Sequence, residues 1–219
     1  MAARDWAEWH NAYDRPGSSL AQRLVIVQAE LKSAIDAQPA GPINIVSICA
    51  GQGRDVIDVV GRHKRRDDVR ARLVELDRPN VVFAVDRAAQ ADLTNVAIVE
   101  GDASVLDAYR YAVPANIVLV CGVFGNVSDD DIRCTIEALP MLCAPDAIVI
   151  WTRHRRTPDL TPMIRAWFEH NDFVELTFHD PEGAEWVGVG ANLFDGEPQQ
   201  LDPSVTMFTF VDDPIDPPR

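Results

Sequence analysis

The stretch Ile43–Asp55, with the sequence INIVSICAGQGRD, constrains the possible folds of this chain more than any other. It begins with a mostly apolar, β-branched run, which is typical of a strand buried in a parallel sheet. Gly51 and Gly53 then permit a tight turn and a close approach of the backbone to a ligand. A helical pattern of apolar residues follows at once. Strand, glycine turn and helix together predict the opening of a nucleotide-binding βαβ unit.

The glycine turn departs from two common phosphate-binding motifs. A dinucleotide-binding fingerprint has a third small residue three positions after its second glycine, and this chain has Val56 there. A phosphate loop ends in Gly-Lys-Ser/Thr, and that sequence is absent. We therefore expect a ligand without a pyrophosphate group, and S-adenosylmethionine is such a ligand.

Length and charge limit the classes of protein to consider. The 219 residues, 47% of them hydrophobic, are enough for one sizeable core. The net charge of −14 disfavours nucleic acid as a partner, since phosphate binding needs a basic face. Local exceptions are the basic stretches 62–72 and 153–156. We predict a helical extension over 1–42, an α/β domain over 43–211 and a disordered tail over 212–219.

The sequence also indicates a cytoplasmic protein. The N-terminus lacks the apolar core of a signal peptide, and no apolar run approaches the ~20 residues of a membrane span. The four cysteines have neither the spacing of a zinc site nor an extracellular context, so we expect free thiols and no metal. The sequence leaves open whether the protein is a monomer or a homodimer.

Strands and helices alternate along the chain, which predicts a doubly wound, mostly parallel, seven-stranded α/β sheet. The seventh strand is either 186–194 or 206–211, and we favour 206–211. A ligand should lie beyond the carboxyl ends of the first and fourth strands, where four polar or glycine-bearing turns fall. The first six predicted strands are 43–48, 72–77, 97–100, 116–121, 147–151 and 173–178.

The ordered motifs over about 43–180 resemble the class I S-adenosylmethionine-dependent methyltransferases. Val46–Gly53 resembles the glycine-rich motif whose backbone holds the methionine part of the cofactor. Glu75, or alternatively Asp77, matches the acid that binds ribose at the tip of the second strand. Gly101-Asp102-Ala103 is similar to the turn whose acid contacts the adenine amino group. Cys121-Gly122-Val123-Phe124 matches the motif that lines the cofactor and faces the substrate.

The glycine-rich motif differs from the usual family pattern. Ser47 stands where the family usually has an acid, and Cys49 where it usually has a glycine. Asp55 could supply the missing carboxylate near the positive end of the cofactor. The resemblance therefore implies S-adenosylmethionine as cofactor. The residues expected to bind it also include Ala50, Gly51, Gln52 and Gly53.

The acceptor is less constrained, because the activated methyl group requires mainly positioning and exclusion of water. Candidate bases or substrate contacts are His10, Tyr13, Asn126 and His154. Arginines beside His154 could bind an acidic acceptor, and the aromatic N-terminal segment could form either a lid or part of the core. We predict a methyltransferase for a small-molecule acceptor. The alternatives are an NAD(P)-dependent oxidoreductase and a non-catalytic S-adenosylmethionine-binding module.

Overall fold

The computed structural model describes residues 11–15, 17–182 and 186–211, and it contains one seven-stranded sheet between helices. The strands are β1 Ile43–Ile48, β2 Val69–Glu75, β3 Val96–Glu100, β4 Ala115–Val120, β5 Cys143–Arg153, β6 Phe173–His179 and β7 Gly188–Phe194. The helices are α1 Ser19–Ala37, α2 Arg54–Arg62, α3 Arg78–Gln90, α4 Asp129–Ala138 and α5 Thr161–His170, with 3-10 turns at Asn11–Asp14, Leu106–Tyr109 and Leu139–Met141. The predicted tail, 212–219, lies outside the described residues, and the predicted domain limits stay predictions.

The strand order in the sheet is β3-β2-β1-β4-β5-β7-β6. Neighbouring strands from β3 to β5 pair in parallel, whereas β7 is antiparallel to both β5 and β6. The order reverses between β1 and β4, which places a crevice at the carboxyl ends of these two strands. The predicted fold class, a doubly wound and mostly parallel α/β sheet, is confirmed.

The prediction for the seventh strand was wrong in preferring 206–211. The strand is β7, and 206–211 makes only isolated bridges, through Thr206 and Phe210. Two glycines in β7 lower its strand propensity, yet one of them is required by packing. A Cβ atom on Gly190 would lie 2.3 Å from Cε2 of Trp151. Its absence lets the rings of Trp151 and Phe178, on either side of β7, stack at 5.7 Å.

Two apolar clusters cover the two faces of the sheet. Helices α1, α2 and α3 pack on one face, against residues such as Ile45 and Ile117. Helices α4 and α5 pack on the other face, around Trp151 and Phe168. Within the described ranges, no helix has both the length and the apolarity needed to cross a bilayer.

The basic stretch 62–72 serves the packing of helix ends. The guanidinium group of Arg65 donates to four backbone carbonyls at and after the end of α1, those of Ile35, Gln38, Pro39 and Gly41. Arg66 donates to the carbonyls of Gly61, Ala91 and Asp92, which joins α2 to the end of α3. Cations at helix C-termini satisfy carbonyls that have no partner within the helix.

Candidate functional site

A cavity of about 620 Å³ lies at the carboxyl edge of the sheet. The turns after β1, β2, β3 and β4 all contribute to its walls, so it occupies the crevice expected from the strand order. Its volume is within the usual range of small-molecule sites, roughly 300–1,000 Å³. Of the predicted cofactor residues, the cavity is lined by Cys49, Ala50, Gly51, Gln52, Asp55, Glu75, Asp77, Asp102, Ala103, Cys121 and Gly122.

The glycine turn adopts backbone conformations that few residues tolerate. Cys49, Gly51 and Gly53 have φ angles of 52°, 55° and 65°, all in the left-handed region. A Cβ atom on Gly53 would lie 2.7 Å from Cδ1 of Ile57 and 3.0 Å from Cδ2 of Leu73. Gly53 is therefore required both by its conformation and by the close packing of α2 on the sheet, although it does not itself line the cavity.

Glu75, at the end of β2, is held by two backbone hydrogen bonds. Its Oε2 atom accepts from the N–H of Gly51 at 2.7 Å, and its Oε1 atom accepts from the N–H of Asp77 at 2.8 Å. These bonds join the glycine turn to the turn that opens α3. Burial nevertheless raises the pKa of the Glu75 carboxyl above its ordinary value, because the two N–H groups only partly offset the loss of water.

Asp77 and Asp102 cap the turns in which they lie. Asp77 Oδ2 accepts from the N–H of Asn80 at 3.4 Å, at the N-cap of α3. Asp102 Oδ1 accepts from both the N–H and the hydroxyl of Ser104, at 2.9 and 2.7 Å. Each carboxylate is thereby fixed in orientation by its own turn at the wall of the cavity.

The side of the cavity nearest α1 contains a buried carboxylate and an arginine. Burial raises the pKa of Asp55 to about 6, although its Oδ1 atom accepts from the N–H of Val56 and the charge of Arg23 acts in the opposite direction. A Cβ atom on Gly122 would lie 3.9 Å from Nη2 of Arg23, so this guanidinium group covers the turn after β4. Arg23 was not predicted as a site residue.

The 3-10 turn Asn11–Asp14 is attached to the same side of the cavity. Arg23 Nη2 donates to the hydroxyl of Tyr13 at 3.0 Å. Arg54 donates to both oxygens of Asp14, at 2.6 and 3.0 Å, and its guanidinium carbon lies 5.6 Å from the centroid of the Tyr13 ring. Tyr13, a predicted substrate contact, therefore lines the cavity. His10, another predicted candidate, lies outside the described residues.

Residues 205–211 line the cavity from the sheet face opposite to that of α1. The carbonyl of Val205 accepts from the N–H of Leu106, and the N–H of Met207 donates to the carbonyl of Ser104. The N–H of Val211 donates to the carbonyl of Asn126. The segment therefore joins the loops after β3 and β4. It places four side chains in the cavity wall, those of Thr206, Phe208, Thr209 and Phe210.

Several predicted residues support the site without lining the cavity. Ser47, Val123 and Phe124 are buried in the sheet or the turn after β4, and Gly101 also lies outside the lining. Asn126 holds that turn, since its Nδ2 atom donates to the carbonyl of Gly122 at 2.7 Å. The described residues contain no group of three or more potential metal ligands.

His154 packs behind the turn after β4 and does not line the cavity. Its ring contacts that of Trp186 edge to face, with centroids 5.8 Å apart. Burial, helped by the nearby charges of Arg153 and Arg156, lowers the pKa of His154 to about 4. The neighbouring arginines also face away from the cavity: Arg153 and Arg155 donate to backbone carbonyls, and Arg156 lies over Trp186.

Two kinds of residue line the cavity without having been predicted from the sequence. Asn80 and Ser104 lie two or three residues beyond predicted acids, so the spacing of the turns could have indicated them. Arg23, Phe208 and Phe210 come from distant parts of the chain, and only the folded structure brings them to the sheet edge.

Comparisons with known proteins agree with this architecture. Residues 17–180 match the model of a family described as "Putative methyltransferase". No curated protein sequence matches the chain significantly.

Among solved structures, magnesium protoporphyrin IX methyltransferase from Synechocystis PCC 6803, with bound S-adenosylhomocysteine, is 12% identical with a TM-score of 0.64, over 86% of this chain and 93% of that chain. A SAM-dependent methyltransferase from Aquifex aeolicus is 10% identical with a TM-score of 0.60, over 88% of this chain and 100% of that chain. An RNA methyltransferase from Salinibacter ruber is 18% identical with a TM-score of 0.52, over 81% and 95% of the respective chains. The family match covers most of the chain, so this protein belongs to that methyltransferase family, and it shares the fold of these S-adenosylmethionine-dependent methyltransferases.

Proposed function

We propose that this protein transfers the methyl group of S-adenosylmethionine to a small-molecule acceptor bound in the cavity at the carboxyl edge of the sheet. One observation carries the proposal: turns after four successive strands meet in a single cavity, and Glu75 is tied by its carboxylate to the glycine turn. The residues of the cavity suit this cofactor in both shape and charge.

The shape of the glycine turn fits a ligand that approaches the backbone closely. Gly51 lines the cavity in a left-handed conformation, and Gly122, with a φ angle of 83°, lines the facing turn. At these two positions a ligand can approach the backbone closely, because glycine has no side chain. This arrangement suits the thin, extended methionine part of the cofactor.

The charges of the lining residues also suit the cofactor, which carries a sulfonium, an ammonium and a carboxylate group. Asp55 can accept from the ammonium group, and Arg23 can pair with the carboxylate of the cofactor or of an acceptor. Glu75 and Asp77 would hold the ribose hydroxyls, and Asp102 would accept from the adenine amino group. These assignments follow the family motifs on the residues that line the cavity.

The chemistry requires little more from the chain than positioning. When bound, the cofactor supplies a methyl group already activated by its sulfonium. Tyr13 and Arg23 then orient the acceptor beside the turn at Gly122, while residues 205–211 and the 3-10 turn exclude water. The low pKa of His154 makes it a weak base at neutral pH, so we assign it no proton transfer.

A small acceptor is favoured by the closure of the cavity. Tyr13 and Phe210, from two distant segments of the chain, both line it, and its volume of about 620 Å³ is that of a site for a small molecule. The net charge of −14 adds repulsion against nucleic acid.

Calorimetric titration tests the cofactor assignment. We expect saturable binding of S-adenosylmethionine and S-adenosylhomocysteine, and none of NAD. The Glu75→Ala variant should bind S-adenosylmethionine more weakly by ~1–3 kcal/mol, the usual loss of a charged hydrogen-bond partner.

Glu100→Ala is the matched control, because Glu100 pairs in register with Glu75 at the end of β3 but lies outside the cavity. Its binding should match that of the wild type. Unchanged binding in both Glu75→Ala and Asp77→Ala would show that the ribose site is placed wrongly. Binding of NAD alone would exclude the proposed function.

A further inference from the structure

Asn80, in the first turn of α3, is a buried polar residue whose side chain has no protein partner. It is 1% exposed, and within the described ranges neither Oδ1 nor Nδ2 makes a hydrogen bond. The residue also lines the cavity. Its backbone N–H, by contrast, is satisfied by Asp77 Oδ2. The unsatisfied amide therefore belongs to a residue in the wall of the cavity where a ligand is expected.

Asn192, another deeply buried asparagine, shows such a group satisfied by a protein partner. Asn192, on β7, is 2% exposed, and its Oδ1 atom accepts from Nε1 of Trp151 at 2.8 Å. A buried amide without a partner destabilises the folded state, and an apolar side chain of similar size would not. Asn80 is therefore unfavourable for the free protein unless a ligand completes its hydrogen bonds.

The surroundings of Asn80 indicate which ligand group it meets. Glu75 Oε1 accepts from the N–H of Asp77, and Asp77 Oδ2 accepts from the N–H of Asn80, so the three residues form one connected turn. An ionised Glu75 can only accept hydrogen bonds, whereas each hydroxyl of a ribose can both donate and accept. An amide beside the acid supplies the donor that the acid lacks.

We infer that Asn80 binds the ribose of the cofactor: its Nδ2 group donates to a ribose hydroxyl oxygen while Glu75 accepts a hydroxyl proton. This assignment rests on the proposed function. It adds to the acid of the family motif a residue that the motif does not contain. It also makes Asn80 a determinant of affinity that reduces the stability of the cofactor-free protein.

The test measures stability and binding in the same variant. Asn80→Leu should raise the urea midpoint for unfolding of the cofactor-free protein, because it removes a buried amide that has no hydrogen-bond partner. The same variant should bind S-adenosylhomocysteine roughly tenfold more weakly than the wild type, by calorimetry. Asn192→Leu is the control, and it should lower the urea midpoint because it leaves Trp151 Nε1 without its acceptor.

A deoxyribose analogue locates the contact. The wild type should bind 2′-deoxy- or 3′-deoxy-S-adenosylhomocysteine at least several-fold more weakly than the parent compound. In Asn80→Leu, and in Asn80→Ala as a second variant, that difference should shrink, since the partner of the hydroxyl is already lost.

The outcomes separate the two proposals. If the wild type binds the parent compound but both Asn80 variants keep the full deoxy penalty, Asn80 does not contact the ribose and the inference is overturned. A lower urea midpoint in both Asn80 variants would also overturn it, because the amide would then be stabilising the free protein. If the wild type binds no S-adenosylhomocysteine, the proposed function itself fails.

Discussion

Asp55 is a buried carboxyl group in the cavity wall whose ionisation makes folding less favourable. Its pKa is raised from 3.8 to about 6 by burial, so the folded state binds the proton more tightly than the unfolded state. The resulting stabilisation is complete below pH 3.8 and is lost as the pH rises through 6. This difference in pKa between the folded and unfolded states corresponds to a difference of ~3 kcal/mol in the free energy of unfolding.

Asp55→Asn should therefore raise the free energy of unfolding at pH 8 by up to ~3 kcal/mol, while changing it little at pH 4. Asp58→Asn is the matched control on α2, since Asp58 accepts two hydrogen bonds from Arg87 at 2.7 Å. That control should lose stability at pH 8. The free energies of unfolding are measured by urea denaturation at the two pH values. Equal stabilisation of Asp55→Asn at pH 4 and pH 8 would contradict the expectation.

At the residue scale, the acids and glycines could be placed at the sheet edge because they directly follow predicted parallel strands, whose carboxyl ends share one edge. Glu75 and Asp102 line the cavity as that spacing predicted. Arg23 was missed because nothing in the chemistry of an arginine on an amphipathic helix marks it as facing Gly122. His154 does not line the cavity, because its position directly after β5 in sequence does not specify the direction of its ring.

At the element scale, Phe210 in the segment 205–211 should contribute to binding more than to stability, whereas Met207 and Phe208 belong to the core. Phe210 is 41% exposed and lines the cavity, whereas Val211, 39% exposed, does not. Phe210→Ala should weaken binding of S-adenosylmethionine by ~1 kcal/mol through lost aromatic contact. The matched variant Val211→Ala should bind normally, and calorimetry on both distinguishes a cavity wall from a surface segment. Equal losses in the two variants would contradict this role.

Most strands and helices could be predicted because their apolar periodicity is set by the buried sheet and its two layers of helices. The seventh strand could not, since 186–194 and 206–211 are both mostly apolar segments of strand length, and two glycines lower the strand propensity of β7. The decisive feature, stacking of Trp151 and Phe178 across Gly190, is a tertiary contact. Propensity is overridden by such contacts.

At the scale of the whole molecule, the charge distribution argues against RNA as acceptor, although a fold neighbour from Salinibacter ruber is an RNA methyltransferase. The guanidinium groups of Arg65 and Arg66, in the most basic stretch, are engaged by backbone carbonyls. We expect no saturable binding of fluorescein-labelled single-stranded or duplex RNA at 0.15 M salt, measured by anisotropy. Saturable binding that weakens as salt increases would contradict this expectation.

The bridge made by residues 205–211 also has a consequence for the order of events during synthesis. Chains emerge from the ribosome N-terminus first, and domains fold as their parts become available. The glycine turn and Glu75 emerge more than a hundred residues before the segment that covers them. A nascent chain stalled near residue 200 would therefore present an uncovered crevice, and we expect newly made molecules to acquire their cofactor only after translation has passed residue 211.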